Sequence, residues 1–137
     1  MATTALPASH ADLLERPLFG HLATVRPDGA PQSSVMWFAW DGSRISMTHT
    51  STRQKFGNLQ TEPRVALSIA DPDDEYRFLE VRGIVESIAP DDAEGSFYLS
   101  LQERYGQSFG VHDADVRVVI TIEPESFVAV TGGRVDR

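Results

Sequence analysis

The residues Thr50-Ser51-Thr52-Arg53-Gln54-Lys55 gather three hydroxyls and two cations where an apolar strand pattern gives way to a helical one. A helix N-terminus offers free backbone N–H groups and the positive end of the helix dipole, so it favours an anion. Arginine adds a planar fork suited to phosphate, and lysine a compact point charge. At about 100° per residue, Phe56 and Leu59 are expected to define the buried stripe, with Arg53 and Lys55 on its two flanks. The cations would then bracket an anion held at the helix edge. The same residues also read as a surface helix capped by Ser51 or Thr52, with solvated cations.

A second stretch, Pro31 to Trp40, is apolar but carries polar groups. Strand alternation puts Gln32, Ser34, Met36 and Phe38 on one face and Ser33, Val35, Trp37 and Ala39 on the other. Polar groups on so apolar a strand need partners if buried. The carbonyl and N–H edge of a heteroaromatic ring would supply them. Alternatively, Ser33 and Ser34 lie at an exposed strand start while Trp37 and Trp40 fill core or interface. His49 ends the strand feeding the cationic loop, open either to a ligand contact or to a structural role.

Other chemistry has less support. His10, His21, His49 and His112 lack metal-ligand spacing. No Gly-x-Gly-x-x-Gly follows a strand, and no Gly-x-Ser-x-Gly elbow is present. The acidic run Asp71, Asp73, Asp74 and Glu75 lacks EF-hand spacing and reads as a solvated loop. Glu80, Arg82 and Glu86 read as a solvated strand face. No pair of titratable residues forms a convincing acid–base dyad.

The elements that must position these residues follow from turn signals and periodicity. Ser9 is a candidate N-cap for a short helix with Asp12 at the capping-box position, Leu13 and Leu14 inside and Pro17 ending it. Strands are expected over Phe19–Val25, Gln32–Trp40 and Ile45–Thr50, with turns at Pro27-Asp28-Gly29 and Asp41-Gly42. A helix is expected over Thr52–Gln60, then a strand through Val65, Leu67 and Ile69. Tyr76–Ile88 is a long strand bent at Gly83. Pro90-Asp91-Asp92 opens a helix carrying Phe97, Leu101 and Tyr105. A loop runs from Gly106 to Asp115. A strand through Val116, Val118, Ile120 and Ile122 is expected to stop before Pro124, with a last strand over Phe127–Val130. Strands in excess with short hairpins favour an antiparallel barrel over a doubly wound sheet.

The 137 residues suit one domain, with 1–8 and 132–137 expected as flexible ends. The first ten residues lack the pattern of a signal peptide, and no run approaches the roughly 20 apolar residues of a membrane span. The cytoplasm is therefore the expected compartment. With no cysteine, thiol catalysis and disulfides are excluded. A net charge of −8 argues against nucleic-acid or anionic-membrane partners.

Several motifs together resemble the pyridoxamine-5′-phosphate-oxidase-like split β-barrel family, in the actinobacterial branch of its flavin/deazaflavin oxidoreductases. They are Leu22-Ala-Thr24, Asp28-Gly-x-Pro-Gln32, the strand containing Ser34, and Arg53-x-Lys55-x-x-Asn58-Leu59. Further on come Pro63-Arg-Val-Ala-Leu67, Glu80-Val-Arg-Gly83 and Arg117-Val-Val-Ile-Thr-Ile-x-Pro124. The resemblance implies a mainly β, α+β fold with two or three short helices: a six-stranded antiparallel split barrel of the FMN-binding type, homodimeric, with cofactor sites at the subunit interface. It implies a phosphate beside Arg53 and Lys55 with the hydroxyls of Thr50, Ser51 and Thr52, and Asn58 nearby. It implies a ring system over Gln32, Ser33, Ser34, Val35, Met36 and Trp37 on one strand and Met47, Thr48 and His49 on another. The implied cofactor is the deazaflavin coenzyme F420, with FMN as the alternative. The implied activity is hydride transfer to a small electron-poor acceptor such as a conjugated carbonyl compound. A non-catalytic flavin- or haem-binding protein is the other reading of the same fold. The basic cluster that holds pyridoxal phosphate in the oxidases proper has no counterpart here, so vitamin oxidation is not implied.

Overall fold

The computed structural model describes residues 2–132 and 134–135. Its strands are β1 (Gly20–Val25), β2 (Pro31–Met36), β3 (Ala39–Trp40), β4 (Ile45–Thr50), β5 (Arg64–Asp71), β6 (Asp74–Pro90), β7 (Arg117–Thr131) and β8 (Arg134–Val135). Its helices are α1 (Asp12–Glu15), α2 (Gln54–Thr61) and α3 (Ser96–Arg104), with 3₁₀ turns at Ala8–His10 and Ala114–Val116. All pairings are antiparallel, in the order β2-β1-β5-β6-β7-β4-β3, with β8 added beside β7.

The expected six-stranded barrel is corrected to seven strands in an unclosed ladder, plus the two-residue β8. The extra strand comes from the segment expected to run unbroken to Trp40. It leaves the ladder at Trp37 and Phe38, so its two halves become separate strands. Those halves, β2 and β3, stand at opposite ends of the pairing order. The sheet must curl to bring both ends to one short stretch of chain, and the covalent chain rather than a hydrogen-bonded ladder joins them there. Phe38 fills the inside of that bend and is fully buried.

A second correction concerns Pro124, which does not end a strand. It lies within the 15-residue β7, opposite Gly83, where the β6–β7 register shifts. A proline has no N–H to donate, and a bulge is where a ladder tolerates that loss. Gly83 is required by the close approach: a Cβ there would sit 2.5 Å from the Glu123 carbonyl oxygen. The acidic loop also contracts. β5 and β6 run to Asp71 and from Asp74, and the carboxylates of Asp12, Asp71 and Asp73 take up Arg16 and Arg77.

The core is the inner face of the curled sheet, with Leu22, Ile45, Met47, Leu67, Ile69, Leu79, Ile120 and Ile122 against Leu13 and Leu14 of α1. Ser9 does not cap that helix; it lies in the preceding 3₁₀ turn and its hydroxyl bonds the His10 ring. Thr3 exchanges two backbone hydrogen bonds with Phe127, so the segment expected to be loose is tied to β7. Of the expected flexible C-terminal end, residues 133, 136 and 137 lie outside the described residues. Among the described residues no helix is long and apolar enough to cross a membrane.

Candidate functional site

β2, β4 and the N-terminus of α2 meet around a cavity of about 350 Å³. It is within the size range of small-molecule sites. Ser34, Val35 and Met36 enter it from β2, Trp37 from the bend, Thr48, His49 and Thr50 from β4, and Arg53 and Lys55 from α2. The cations and the mixed strand, identified separately from residue types, therefore face one space.

The expected orientation of α2 is corrected. Lys55, Asn58 and Leu59 are the buried positions, at 5%, 0% and 2% exposure, while Phe56 is only half-buried. These positions share one side of a helix. Lys55 thus points inward instead of along a flank, and Arg53, exposed, is itself the N-cap residue. Neither Ser51 nor Thr52 caps the helix; the Thr52 hydroxyl bonds that of Thr50 at 3.4 Å.

Six expected site residues, the exposed Thr52 among them, stand apart from the cavity lining. Met47 is fully buried in the core, and Ser33 is exposed on β2 outside the cavity lining. Ser51 is half-buried and donates its N–H to the Val116 carbonyl. Asn58 donates to Gln32 Oε1 at 2.9 Å and to Thr24 Oγ1 at 3.3 Å, tying α2 to β1 and β2. The Asn58 amide thereby anchors the inner side of α2, and with it Lys55 one helical turn earlier.

Three lining residues were not singled out beforehand: Phe19, Tyr98 and Arg117. Arg117 arrives because β7 pairs with β4 in the register Thr50↔Arg117, which sequence spacing does not show. Its guanidinium lies 3.9 Å over the Tyr98 ring and donates to Asp113 at 2.9 Å.

The electrostatics of the cavity are those of an anion site. Among the described residues, Arg53 and Lys55 have no carboxylate partner. The Lys55 ammonium contacts the Met36 sulfur at 2.9 Å. Burial, and then Arg53, lower its pKa to about 8. Burial likewise lowers His49 to about 4, with Lys55, Arg53 and Arg117 adding to the effect. His49 is therefore neutral near pH 7. Among the described residues, its Nε2 and the Ser34 hydroxyl are buried with no hydrogen-bond partner. Buried polar groups rarely stay unpaired, and buried charge is costly without a counter-charge. The cavity thus suits a ligand that brings an anion to Lys55 and hydrogen-bonding atoms to Ser34 and His49.

Comparison with known proteins gives this arrangement a context. A solved structure of an F420 reductase is 52% identical, with a TM-score of 0.86, covering 89% of this chain and 98% of that one. A conserved hypothetical protein of Mycobacterium tuberculosis is 27% identical, with a TM-score of 0.71, covering 93% and 86%. A heme binding protein of Mycobacterium smegmatis shares the fold at 17% identity, with a TM-score of 0.71, covering 98% of this chain and 58% of that one. No curated protein matches the sequence. The family profile for pyridoxamine 5′-phosphate oxidase matches residues 6–131, from the start of α1's approach to the end of β7. The chain that builds this cationic cavity on a curled antiparallel sheet therefore belongs to the pyridoxamine 5′-phosphate oxidase family.

Proposed function

We propose that the protein is an oxidoreductase that binds the deazaflavin coenzyme F420 in this cavity and reduces a small electron-poor acceptor, such as a conjugated carbonyl compound. The observation that carries the reading is the buried, carboxylate-free Lys55 sharing one cavity with the unpaired Ser34 hydroxyl and His49 Nε2. A cofactor that joins a phosphate to a hydrogen-bonding ring system fits both. The 52% identity to an F420 reductase favours the deazaflavin over FMN, whose phosphate the same cations would accept.

When bound, the cofactor supplies the hydride chemistry, and the protein supplies position and electrostatics. Lys55 and Arg53 hold the phosphate, with the N-terminal N–H groups of α2 as further donors. Thr48 and Thr50 add hydroxyls on the β4 side. Ser34 donates to a ring acceptor, and neutral His49 can donate or accept through Nε2. Met36 forms the apolar floor, and the exposed Val35 the open rim. The working form is proposed to be a homodimer, a second copy packing across the outer face of β2, where Val35 is 59% exposed.

The test is a fluorescence titration of wild type and the Arg53→Ala/Lys55→Ala double variant with coenzyme F420 and with FMN. Wild type binds F420 more tightly than FMN, and the double variant loses about 100-fold or more in affinity, as charge-assisted hydrogen bonds of about 1.5–3 kcal/mol each require. Equal affinity for wild type and variant would remove the phosphate assignment.

A further inference from the structure

Lys55 is the only lysine in the chain; the other eleven of its twelve Lys and Arg residues are arginine. A guanidinium stays charged at any pH a protein meets, whereas an ammonium that loses its proton becomes a nucleophile. The chain therefore carries one side-chain amine, and the fold sets it in the wall of the cavity at 5% exposure. Arginine grips a phosphate through a planar fork, so a lysine here adds the one property that an arginine lacks.

Three features make that amine available. The bonds of Asn58 to Gln32 and Thr24 anchor α2 and fix where Lys55 enters the cavity. Its contact there, the Met36 sulfur at 2.9 Å, is a weak acceptor that does not hold a proton on the amine as a carboxylate would. The charged and titratable groups that face it are Arg53 on its own helix, His49 on β4 and Arg117 on β7. Among the described residues no carboxylate lines the cavity. With its pKa at about 8, about one Lys55 in ten is a free amine at pH 7, against about one in three thousand for a solvated lysine.

The groups that would seat a phosphate share this cavity: Arg53 and the hydroxyls of Thr48 and Thr50. An electrophile that carries a phosphate is then brought to the amine by its own leaving group, an advantage of proximity. We infer that Lys55 is an acyl-acceptor site, which takes the acyl group of a small acyl phosphate in the cofactor-free protein. The neutral amine attacks the carbonyl carbon. An N–C amide bond forms, and the C–O bond to the phosphate breaks. The phosphate leaves with the bonding electron pair, the surplus proton of the amine passes to it, and nothing is oxidised or reduced. Residue 55 then carries no charge, and Arg53 alone remains on α2 for an anion. On the cofactor reading above, acylation and cofactor binding exclude one another; the acyl transfer itself needs no cofactor.

The test gives acetyl phosphate to the full chain without cofactor and follows acetylation by peptide mapping in a mass spectrometer, which separates Lys55 from the terminal amine. At pH 7 Lys55 is expected to react about tenfold or more faster than the lysine of an unstructured peptide, its larger free-amine fraction outweighing its weaker basicity. The rate saturates with acetyl phosphate, falls when inorganic phosphate is added, and levels off above about pH 8. Arg53→Ala slows the reaction with acetyl phosphate several-fold more than that with N-hydroxysuccinimidyl acetate, which carries no phosphate; a misfolded variant would change both alike. A rate no higher than the peptide's, a rate indifferent to inorganic phosphate, or one that climbs on toward pH 10.5 overturns the site. The acetylated protein is then titrated with F420, and about tenfold or more of the affinity is lost. Unmodified protein that is acetylated in this way but does not bind F420 would sink the cofactor reading and leave the acyl-acceptor site standing.

Discussion

A lysine ammonium taken from water without a carboxylate destabilises the folded chain unless it loses its proton or acquires an anion. Lys55 is in that position, and with a pKa near 8 it is mostly charged at pH 7. Two consequences follow in one titration. Affinity for the anionic cofactor stays level below about pH 8 and weakens above it, by at most about tenfold per pH unit. The ligand-free protein changes in the opposite sense. The unfolded chain binds the proton up to its ordinary pKa of 10.5, so stability rises with pH between about 8 and 10.5. Lys55→Gln removes the break in the affinity profile and costs about 10- to 100-fold in affinity at pH 7. Calorimetric titration across pH 6–10 checks both, and a break that persists in the variant would assign it elsewhere. The type and spacing of Arg53 and Lys55 were enough to identify them as candidates. The inward direction of Lys55 was not legible, because the stripe was anchored on Phe56. The helix instead buries the polar Asn58, whose partners Gln32 and Thr24 come from other strands.

At the scale of elements, turn chemistry and alternation located most strands, and Ile45–Thr50 coincides with β4. What they could not show is long-range pairing. The bend at Trp37 and Phe38 depends on Tyr105, 67 residues away from Phe38. The continuity of β7 through Pro124 depends on a register shift in β6, and the arrival of Arg117 depends on the β4–β7 register. Gly83 was legible as a bend, and its role is now specific. A methyl group there meets the Glu123 carbonyl oxygen at 2.5 Å and Ile122 Cγ2 at 3.0 Å. Since backbone must move to admit it, Gly83→Ala is expected to cost about 1–3 kcal/mol. The cost reads as a lower Tm in a thermal melt, and an unchanged Tm would contradict the close approach. Because the β6–β7 pair carries Arg117 toward the cavity, the same variant should also weaken cofactor binding.

At the scale of the molecule, the fold gathers cationic and aromatic side chains around one open cavity, and the proposed second copy completes its outer side. Val35→Asp puts a charge on that face. Light scattering should then report a monomer where wild type is a dimer, with cofactor affinity reduced in parallel; a wild-type monomer that binds cofactor fully would remove the dimer from the account. An oxidoreductase must turn the cofactor over and not merely bind it, and this can be measured directly. The purified protein is given reduced coenzyme F420, and naphthoquinone is added while the visible absorbance of the oxidised cofactor is followed. Absorbance is expected to return over many turnovers per protein, at a rate that falls in Arg53→Ala/Lys55→Ala. Tight binding of F420 with no oxidation above the protein-free rate would contradict it and leave a carrier in place of an enzyme.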